Sequence, residues 1–209
     1  ADLCVEFGAI FHSDTVQTVG HFPVDLSHPG IHFATGAGHK FHGPKGVGLL
    51  YISKEVQVRP LIEGGGQERN MRAGTENLYG VVGFAKALEL AITHLETDRA
   101  HILSLKSYLM QRLQELGDVR FNGDADGACL YTVLNVSFPR TETTEMLLMN
   151  LDMKGICVSG GSACSSGADM GSHVIRAVAP GVDRVPIRFS FCKHNTTEEL
   201  DQLVETLKG

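Results

Sequence analysis

The sequence predicts an α/β protein, and three observations support this fold class. Short apolar stretches of strand length alternate with longer stretches in which apolar residues recur at helical spacing. Glycine-rich turns follow strand-like stretches, which is typical of the ligand-binding edge of a parallel sheet. After residue 119 a strand, a helix and a further strand succeed one another, and this order predicts a separate small α/β lobe.

The composition is that of a globular chain with enough apolar residues for one good core or two small ones. It has 209 residues, of which 43% are hydrophobic and 20% charged, and a net charge of −6. Since no Lys/Arg cluster offsets this charge, we expect no nucleic-acid partner. We expect no membrane partner because no apolar run approaches a membrane span. Five cysteines without C-x-x-C spacing indicate a cytoplasmic location, and ten scattered histidines predict no metal site.

The first half of the chain is expected to form a small sheet. The chain opens like the tail of a helix that ends at Gly8, and an apolar strand over residues 9–13 follows. Two more strands, over residues 31–34 and 47–52, flank a glycine-rich turn. Strands this close in sequence predict an antiparallel pair at the edge of the sheet.

The second half is expected to begin with helix. Apolar residues recur at helical spacing from about residue 78 to 116, which predicts one long helix or two in succession, with a soft point at residues 97–98. The remaining predicted elements are a strand at 131–138, a helix at about 143–151, an apolar stretch at 156–158, a helix at 173–177, a strand at 185–191, and a last helix from Thr196 to about 207 with Glu199 in a capping box.

Lys40 is the centre of the candidate site. It follows the strand at 31–34 in a glycine-rich turn and has room to form a Schiff base with a carbonyl compound. Such a lysine suits pyridoxal phosphate, since the small residues before it let backbone N–H groups approach a phosphate. His39 can add a hydrogen bond or stack on a flat ring. The alternative is a plain loop, because His-Lys pairs in glycine-rich turns often bind nothing.

Asp14 lies at the predicted carboxyl end of a strand, where α/β sheets bind ligands. A carboxylate there can pair with a protonated pyridine nitrogen, and Gln17 would reach the oxygen on the same ring. The same two residues also fit a helix N-cap and its capping box.

Two further residues are candidates for binding anions. Thr75 precedes a long predicted helix and can offer its hydroxyl and N–H to an anion there, or simply cap the helix. Arg188 lies between apolar residues of a predicted strand and suits a bidentate clamp on a carboxylate, or else an ion pair inside the lobe.

Cys164 lies in a run of glycine, serine and alanine without apolar periodicity. Because cysteine is usually buried, a cysteine in such a loop suggests a reactive role, and the alternative is a linker with an incidental thiol. Cys4 and Cys157 have apolar neighbours and are expected to lie in packed elements.

These motifs occur in an order that resembles the class I (NifS/IscS-type) cysteine desulfurases. The resemblance implies an aspartate aminotransferase-like, fold-type I transferase that uses pyridoxal 5'-phosphate. Residues 1–95 would be the C-terminal part of its cofactor-binding large domain, and residues 96–209 its small C-terminal domain with the catalytic cysteine loop at about 159–172. The matching motifs are Asp14-x-x-Gln17, His39-Lys40 with its glycines, Arg72-Ala73-Gly74-Thr75, residues 161–167, residues 172–176 and residues 187–190.

The resemblance also implies an activity and a role for each residue. The enzyme would remove sulfur from L-cysteine, leave L-alanine and hold the sulfur as a cysteine persulfide for an acceptor such as an iron–sulfur scaffold. The implied roles are Lys40 as Schiff-base lysine, Asp14 on the pyridine nitrogen, Gln17 on the ring hydroxyl, His39 on the phosphate, Thr75 on the phosphate across a homodimer interface, Arg188 on the substrate carboxylate and Cys164 as nucleophile.

Three departures from the family pattern keep alternatives open. Ala37 stands where the family usually has serine, and Cys192 stands where it commonly has glycine. The chain corresponds only to the second half of the family, so a complete site would need an N-terminal half. A selenocysteine lyase or another pyridoxal phosphate-dependent β-eliminating enzyme is the first alternative, and a non-catalytic sulfur-transfer scaffold is the second.

Overall fold

A computed structural model describes residues 1–160, 172–179 and 183–208. The chain forms two compact units, Ala1–Leu95 and Glu96–Gly209. These ranges coincide with the two predicted domains, while their assignment to a large and a small domain stays a prediction. Among the described residues, each unit has a three-stranded sheet and helices, so the fold is mixed α/β.

The first unit contains a sheet whose strand order is β1-β2-β3. Strands β1 and β2 are parallel, with Asp14 opposite Thr35, and β2 and β3 are antiparallel, with Ala37 opposite Gly48. The predicted antiparallel pair at the sheet edge is therefore confirmed. The elements are α1 (Asp2–Glu6), β1 (His12–Asp14), β2 (Phe33–Ala37), a 3-10 helix (Gly38–Phe41), β3 (Gly48–Ile52), α2 (Gln67–Asn70) and α3 (Leu78–Thr93).

Strand β1 is shorter than predicted and begins only at His12. The N–H of Phe11 donates to the ring Nδ1 of His32 at 3.0 Å rather than to a strand carbonyl. The Phe11 N–H is therefore not part of the ladder, although the Phe11 carbonyl still accepts from the Phe33 N–H at 3.0 Å.

The second unit combines helices with an antiparallel sheet that has β5 in the middle. Its elements are α4 (Leu95–Gln114), β4 (Arg120–Phe121), β5 (Val133–Pro139), α5 (Glu142–Glu145), α6 (Leu147–Met153), α7 (His173–Val178), β6 (Arg184–Ser190) and α8 (Thr197–Lys208).

The two units differ in how much apolar surface they bury. Among the described residues, the first unit buries four apolar side chains, those of Val19, Ala34, Phe41 and Ala73. All the other buried apolar residues lie in the second unit, and Leu109, Leu113, Val136 and Val204 have no measurable exposure there. Each fully buried leucine or valine stabilises the folded state by roughly 1.5–3 kcal/mol. Among the described residues, most of the hydrophobic stabilisation therefore comes from the second unit.

Three predicted elements differ from the structure. The helices α3 and α4 separate at His94 and not at residues 97–98, because Glu96 and Asp98 lie in the first turn of α4, where acidic side chains favour a helix start. The helix predicted at 143–151 is split at Met146 into α5 and α6. The stretch 156–158 forms no strand, and only the next residue, Ser159, makes an isolated bridge to Arg188.

The capping box predicted for the last helix is confirmed. The Thr196 hydroxyl accepts from the N–H of Glu199 at 3.4 Å, and the Glu199 carboxylate accepts from the N–H of Thr196 at 3.2 Å. Within the described ranges, no single helix is long and apolar enough to cross a membrane, and only α3 and α4 taken together pass that test of length and composition.

Candidate functional site

Lys40 lies on the short 3-10 helix that directly follows β2. The turn is held in place by hydrogen bonds from Gly43 N–H to the Gly38 carbonyl at 2.8 Å and from Gly38 N–H to the Val47 carbonyl at 3.0 Å. The half-buried Lys40 side chain makes no hydrogen bond or ion pair with the part of the chain that the structure describes. A lysine amine with no partner, on a fixed turn, is free to react with a ligand.

The glycines around Lys40 serve packing as well as access. A Cβ on Gly38 would lie 2.9 Å from the Phe84 ring, and one on Gly48 would lie 2.4 Å from the Gly36 carbonyl oxygen. Because the Gly38 N–H already bonds the Val47 carbonyl, it is not available to a phosphate, contrary to the simplest interpretation of the small residues. These glycines are required by the close approach of backbone and ring.

Asp14 is the last residue of β1 and is exposed. Its Oδ1 accepts from the N–H of Val16 at 3.0 Å, and residues 15–22 form successive turns, so the alternative of a helix N-cap is wrong. Its Oδ2 makes no hydrogen bond or ion pair with a described residue. Because β1 and β2 are parallel, Asp14 and the Lys40 turn lie at the same edge of the sheet.

The side chains of Gln17, His39 and Thr75 are exposed and make no hydrogen bond with any described residue. Thr75 does not cap the following helix, because the Asn77 side chain accepts from the Gly80 N–H at 3.1 Å and takes that role. The alternative of a purely capping Thr75 is therefore wrong. Thr75 lies in the first unit, as do Asp14 and Lys40.

The short element α2, Gln67–Asn70, precedes Thr75 and is a left-handed turn rather than a regular right-handed helix. Glu68, Arg69 and Asn70 have φ values of 47°, 57° and 65°. Non-glycine residues in this region cost about 1–2 kcal/mol each. The turn closes through a bond from Met71 N–H to the Glu68 carbonyl at 3.0 Å, and the Gln67 side chain accepts from Gly74 N–H at 3.1 Å.

Arg188 lies in β6, in the second unit. Its Nη2 donates to the Ser159 hydroxyl at 3.3 Å, while its Nε is buried without a hydrogen-bond partner in the described ranges. No carboxylate of a described residue pairs with it, so the alternative of an ion pair within the lobe fails there. A buried guanidinium N–H without an acceptor is costly, and a ligand carboxylate would satisfy it.

Cys164, the predicted nucleophile, lies outside the described residues. The expectation that Cys157 lies in a packed element is wrong, because Cys157 is exposed on a segment that forms no strand. Cys4 is half-buried on α1, a helix without a buried residue. Cys192 is half-buried, and its N–H donates to the Asn195 side chain at 2.8 Å.

The residues of the first unit fit pyridoxal phosphate by their chemistry. The Lys40 amine and the Oδ2 of Asp14 have no hydrogen-bond partner in the described part of the chain, so the amine can hold an aldehyde carbon and the carboxylate can accept from a pyridinium N–H. Ala37, at the end of β2, offers no hydroxyl to a phosphate. Among the described residues, no group of three or more His, Cys, Asp or Glu could hold a metal ion.

Two positioning contacts were missed by the sequence reasoning. The Nε2 of His21 lies 3.0 Å from the Lys40 carbonyl oxygen, so it donates to the backbone of the lysine turn. Ser159 exchanges backbone hydrogen bonds of 2.7 and 3.2 Å with Arg188 in addition to its side-chain contact. Ser159 opens the loop predicted at about 159–172 and His21 lies outside every motif, but neither contact was predictable, since both depend on how distant segments fold back.

Comparison with protein families gives a match over almost the whole chain. The sequence profile described as aminotransferase class V matches residues 1–203. A cysteine desulfurase IscS from Dictyoglomus turgidum is 40% identical over 206 residues, which are 97% of this chain and 52% of that protein. A cysteine desulfurase from Gluconacetobacter diazotrophicus is 42% identical over 207 residues, 98% of this chain and 51% of that protein.

Solved structures give the same result. A NifS-like protein superposes with a TM-score of 0.82 at 38% identity, over 96% of this chain and 52% of that one. A NifS-like protein from Rickettsia africae superposes with a TM-score of 0.86 at 30% identity, over 99% of this chain and 55% of that one. The chain therefore spans about half the length of the relatives it matches.

Proposed function

The chain belongs to the aminotransferase class-V family, and from this premise we propose that it forms the C-terminal half of a cysteine desulfurase. Its fold is that of the fold-type I pyridoxal phosphate enzymes, so the predicted fold class is confirmed, as is the predicted resemblance to cysteine desulfurases. The proposed reaction removes sulfur from L-cysteine, leaves L-alanine and forms a persulfide on an enzyme cysteine.

One observation supports this proposal most strongly. The Lys40 amine, which has no partner among the described residues, lies on a hydrogen-bonded turn at the carboxyl edge of parallel strands, in a chain about 40% identical to cysteine desulfurases. An ammonium group that the fold leaves unpaired is costly to keep as a purely structural feature of a half-buried site. The arrangement fits a lysine reserved for a carbonyl cofactor.

We assign the cofactor contacts to residues of the first unit. Lys40 would hold the aldehyde carbon, and Asp14 would accept from the pyridinium N–H. Gln17, His39 and Thr75 would contact the ring oxygen and the phosphate, with Thr75 acting across a homodimer interface. Pyridoxal phosphate, when bound, supplies an electron sink for the substrate Cα.

The substrate contacts are assigned to the second unit. The guanidinium of Arg188 would bind the substrate carboxylate, which supplies the acceptor that its buried Nε lacks. The Cys164 thiolate would attack the substrate sulfur and keep it as a persulfide. We propose further that a sulfur-acceptor protein, such as an iron–sulfur scaffold, takes this sulfur in the cytoplasm.

The test is the replacement of Lys40 in a protein that also contains the proposed N-terminal half. Lys40→Ala should abolish the visible absorbance of bound pyridoxal phosphate, together with alanine and sulfide production from cysteine. Lys45→Ala is the matched control, because Lys45 is an exposed lysine four residues after the end of the same 3-10 helix and should leave both signals intact. Retention of the absorbance by Lys40→Ala would refute the proposal.

A selenocysteine lyase on the same scaffold would give the same absorbance and needs a separate measurement. The rates of alanine release from cysteine and from selenocysteine, measured on one preparation, distinguish the two enzymes. A desulfurase releases alanine from cysteine at a rate that depends on Cys164, whereas a lyase would act on selenocysteine almost exclusively.

A further inference from the structure

Lys106 occupies a core position of α4. Its side chain is only 3% exposed, and it lies within the buried stripe of this helix, whose other members are Ile102, Leu105, Leu109, Met110 and Leu113. Lysine is rarely buried unless it is paired, because the loss of hydration penalises its charged form. The partner of this amine therefore indicates what the position is for.

The partner of Lys106 is a thiol. The Nζ of Lys106 donates to the Sγ of Cys129 at 3.1 Å, and no carboxylate of a described residue forms an ion pair with it. Cys129 lies in a tight turn, in which its N–H donates to the Gly127 carbonyl at 2.9 Å. Its Sγ also lies 3.6 Å from the Ala125 carbonyl oxygen.

The two side chains differ in burial. Cys129 is half-buried whereas Lys106 is enclosed, so a small hydroperoxide would approach the pair from the side of Cys129. Oxidation of a thiolate by peroxide gives a sulfenic acid, whose sulfur is attacked by nearby nitrogen nucleophiles. The nearest nitrogen on a side chain is already in hydrogen-bond contact.

We propose that Lys106 and Cys129 form a peroxide-dependent modification site, at which oxidation joins the two side chains by a sulfur–nitrogen bond. In the first step the thiolate sulfur attacks a peroxide oxygen, the O–O bond breaks, and the Lys106 ammonium gives a proton to the leaving hydroxide to form water. Sulfur is oxidised by two electrons and the peroxide is reduced.

The second step uses the amine that the first step has produced. Its lone pair attacks the sulfenic sulfur, the S–O bond breaks, and the hydroxyl leaves with an amine proton as a second water. The protein has then lost two hydrogen atoms in all, both from the Lys106 ammonium, which is also the mass difference from the free thiol and amine. Thiol reductants reverse the link by attack on the same sulfur.

The other described cysteines lack such a neighbour. None of Cys4, Cys157 and Cys192 receives a hydrogen bond from a lysine amine in the described part of the chain. Lys193 adjoins Cys192 in sequence, but its amine lies 3.4 Å from a carboxylate oxygen of Asp98. Oxidation of these cysteines should therefore stop at sulfenic acid or continue to higher oxides, without a link to lysine.

The experiment is peptide mapping of the purified protein after brief exposure to hydrogen peroxide, with trypsin digestion under non-reducing conditions. The expected product joins residues 100–112, uncleaved after Lys106, to residues 121–140, whose single cysteine is Cys129. Its mass is that of the two peptides less two hydrogen atoms. Dithiothreitol should separate them and restore cleavage after Lys106.

Two variants distinguish a reactive amine from a merely nearby one. Lys106→Arg keeps a cation but not a nucleophile, and Lys106→Met fills the buried site with an apolar chain of similar length. In both variants dimedone should trap a sulfenic acid at Cys129 and the linked peptide should be absent, whereas Cys192→Ser should leave the link unchanged. A linked peptide that persists in Lys106→Met, or its absence from the oxidised wild-type protein, would overturn the proposal.

Discussion

Arg188 shows how a single unsatisfied atom can indicate a function. Its Nε is buried without an acceptor, although its Nη2 reaches Ser159 at 3.3 Å. Sequence reasoning identified Arg188 from its apolar neighbours but could not tell a ligand clamp from an ion pair. The sequence did not indicate the contacts of Ser159 and His21, because these join residues that are 29 and 19 positions apart.

We therefore predict different outcomes for two arginines of β6. Arg188→Met should raise the KM for cysteine about 10- to 100-fold, which corresponds to one or two charged hydrogen bonds, and should not lower the melting temperature, because it removes a buried unpaired donor. Steady-state kinetics and thermal unfolding measure the two effects.

Arg184→Met is the matched control. Arg184 donates to the Asp118 carboxylate at 3.0 Å and to the Ser137 carbonyl at 2.9 Å, so its loss should lower the melting temperature and leave the KM unchanged. A lower melting temperature in Arg188→Met, without a change in KM, would mean that Arg188 is a structural residue.

At the scale of elements, sequence rules predicted those helix ends that depend on hydrogen bonds within one turn. The capping box of α8 was predictable because Thr196 and Glu199 satisfy each other within one turn. The break at His94 was placed wrongly at residues 97–98, although Glu96 and Asp98 favour a helix start directly after His94. The contact of the His94 Nδ1 with the Leu90 carbonyl oxygen at 2.9 Å shows only in the folded helix. The short β1 depends in the same way on His32, 21 residues away from Phe11.

The capping box carries a pH dependence. Hydrogen bonds from the Asn195 side chain and then from the Thr196 N–H lower the pKa of Glu199 below its ordinary value of 4.5. A lowered folded-state pKa means that the stabilisation is present above the unfolded pKa and is lost as the pH falls through the folded pKa. The melting-temperature difference between the wild-type protein and Glu199→Ala should thus be present at pH 7 and shrink below about pH 4.5.

Glu199→Gln separates the charge from the hydrogen bonds. Glutamine can still accept from the Thr196 N–H but does not ionise. This variant should therefore lose less stability than Glu199→Ala at pH 7, and the stability that the glutamine side chain contributes should not change with pH. A difference between Glu199→Ala and wild type that is equal at pH 3 and pH 7 would contradict the assignment of the pH dependence to this carboxylate.

At the scale of the whole molecule, the two units differ in how completely they bury their own apolar side chains. The second unit has a core of its own, whereas the first unit leaves large apolar side chains open, including Phe7 at 75% and Leu61 at 97% exposure. The sequence indicated that family members are longer than this chain, but the uneven burial is visible only in the structure. Apolar periodicity shows which residues can be buried and not which neighbour covers them.

We predict that residues 96–209 fold alone and that residues 1–95 do not. A segment with a complete core should unfold cooperatively, whereas the first unit, expressed alone, should bind a hydrophobic dye and aggregate. Circular dichroism, dye fluorescence and light scattering test this. Addition of the proposed N-terminal half should reduce dye binding by residues 1–95, and a monodisperse first unit that binds no dye by itself would contradict the prediction.

The turn formed by Glu68, Arg69 and Asn70 has a consequence for chemical synthesis. Its backbone follows the mirror image of the usual right-handed path over three successive residues. The steric cost that L-residues bear in this region becomes a preference for their mirror images. A synthetic chain with D-arginine at position 69 would follow the same backbone path with less strain, and the peptide bonds on either side of that residue would resist proteases.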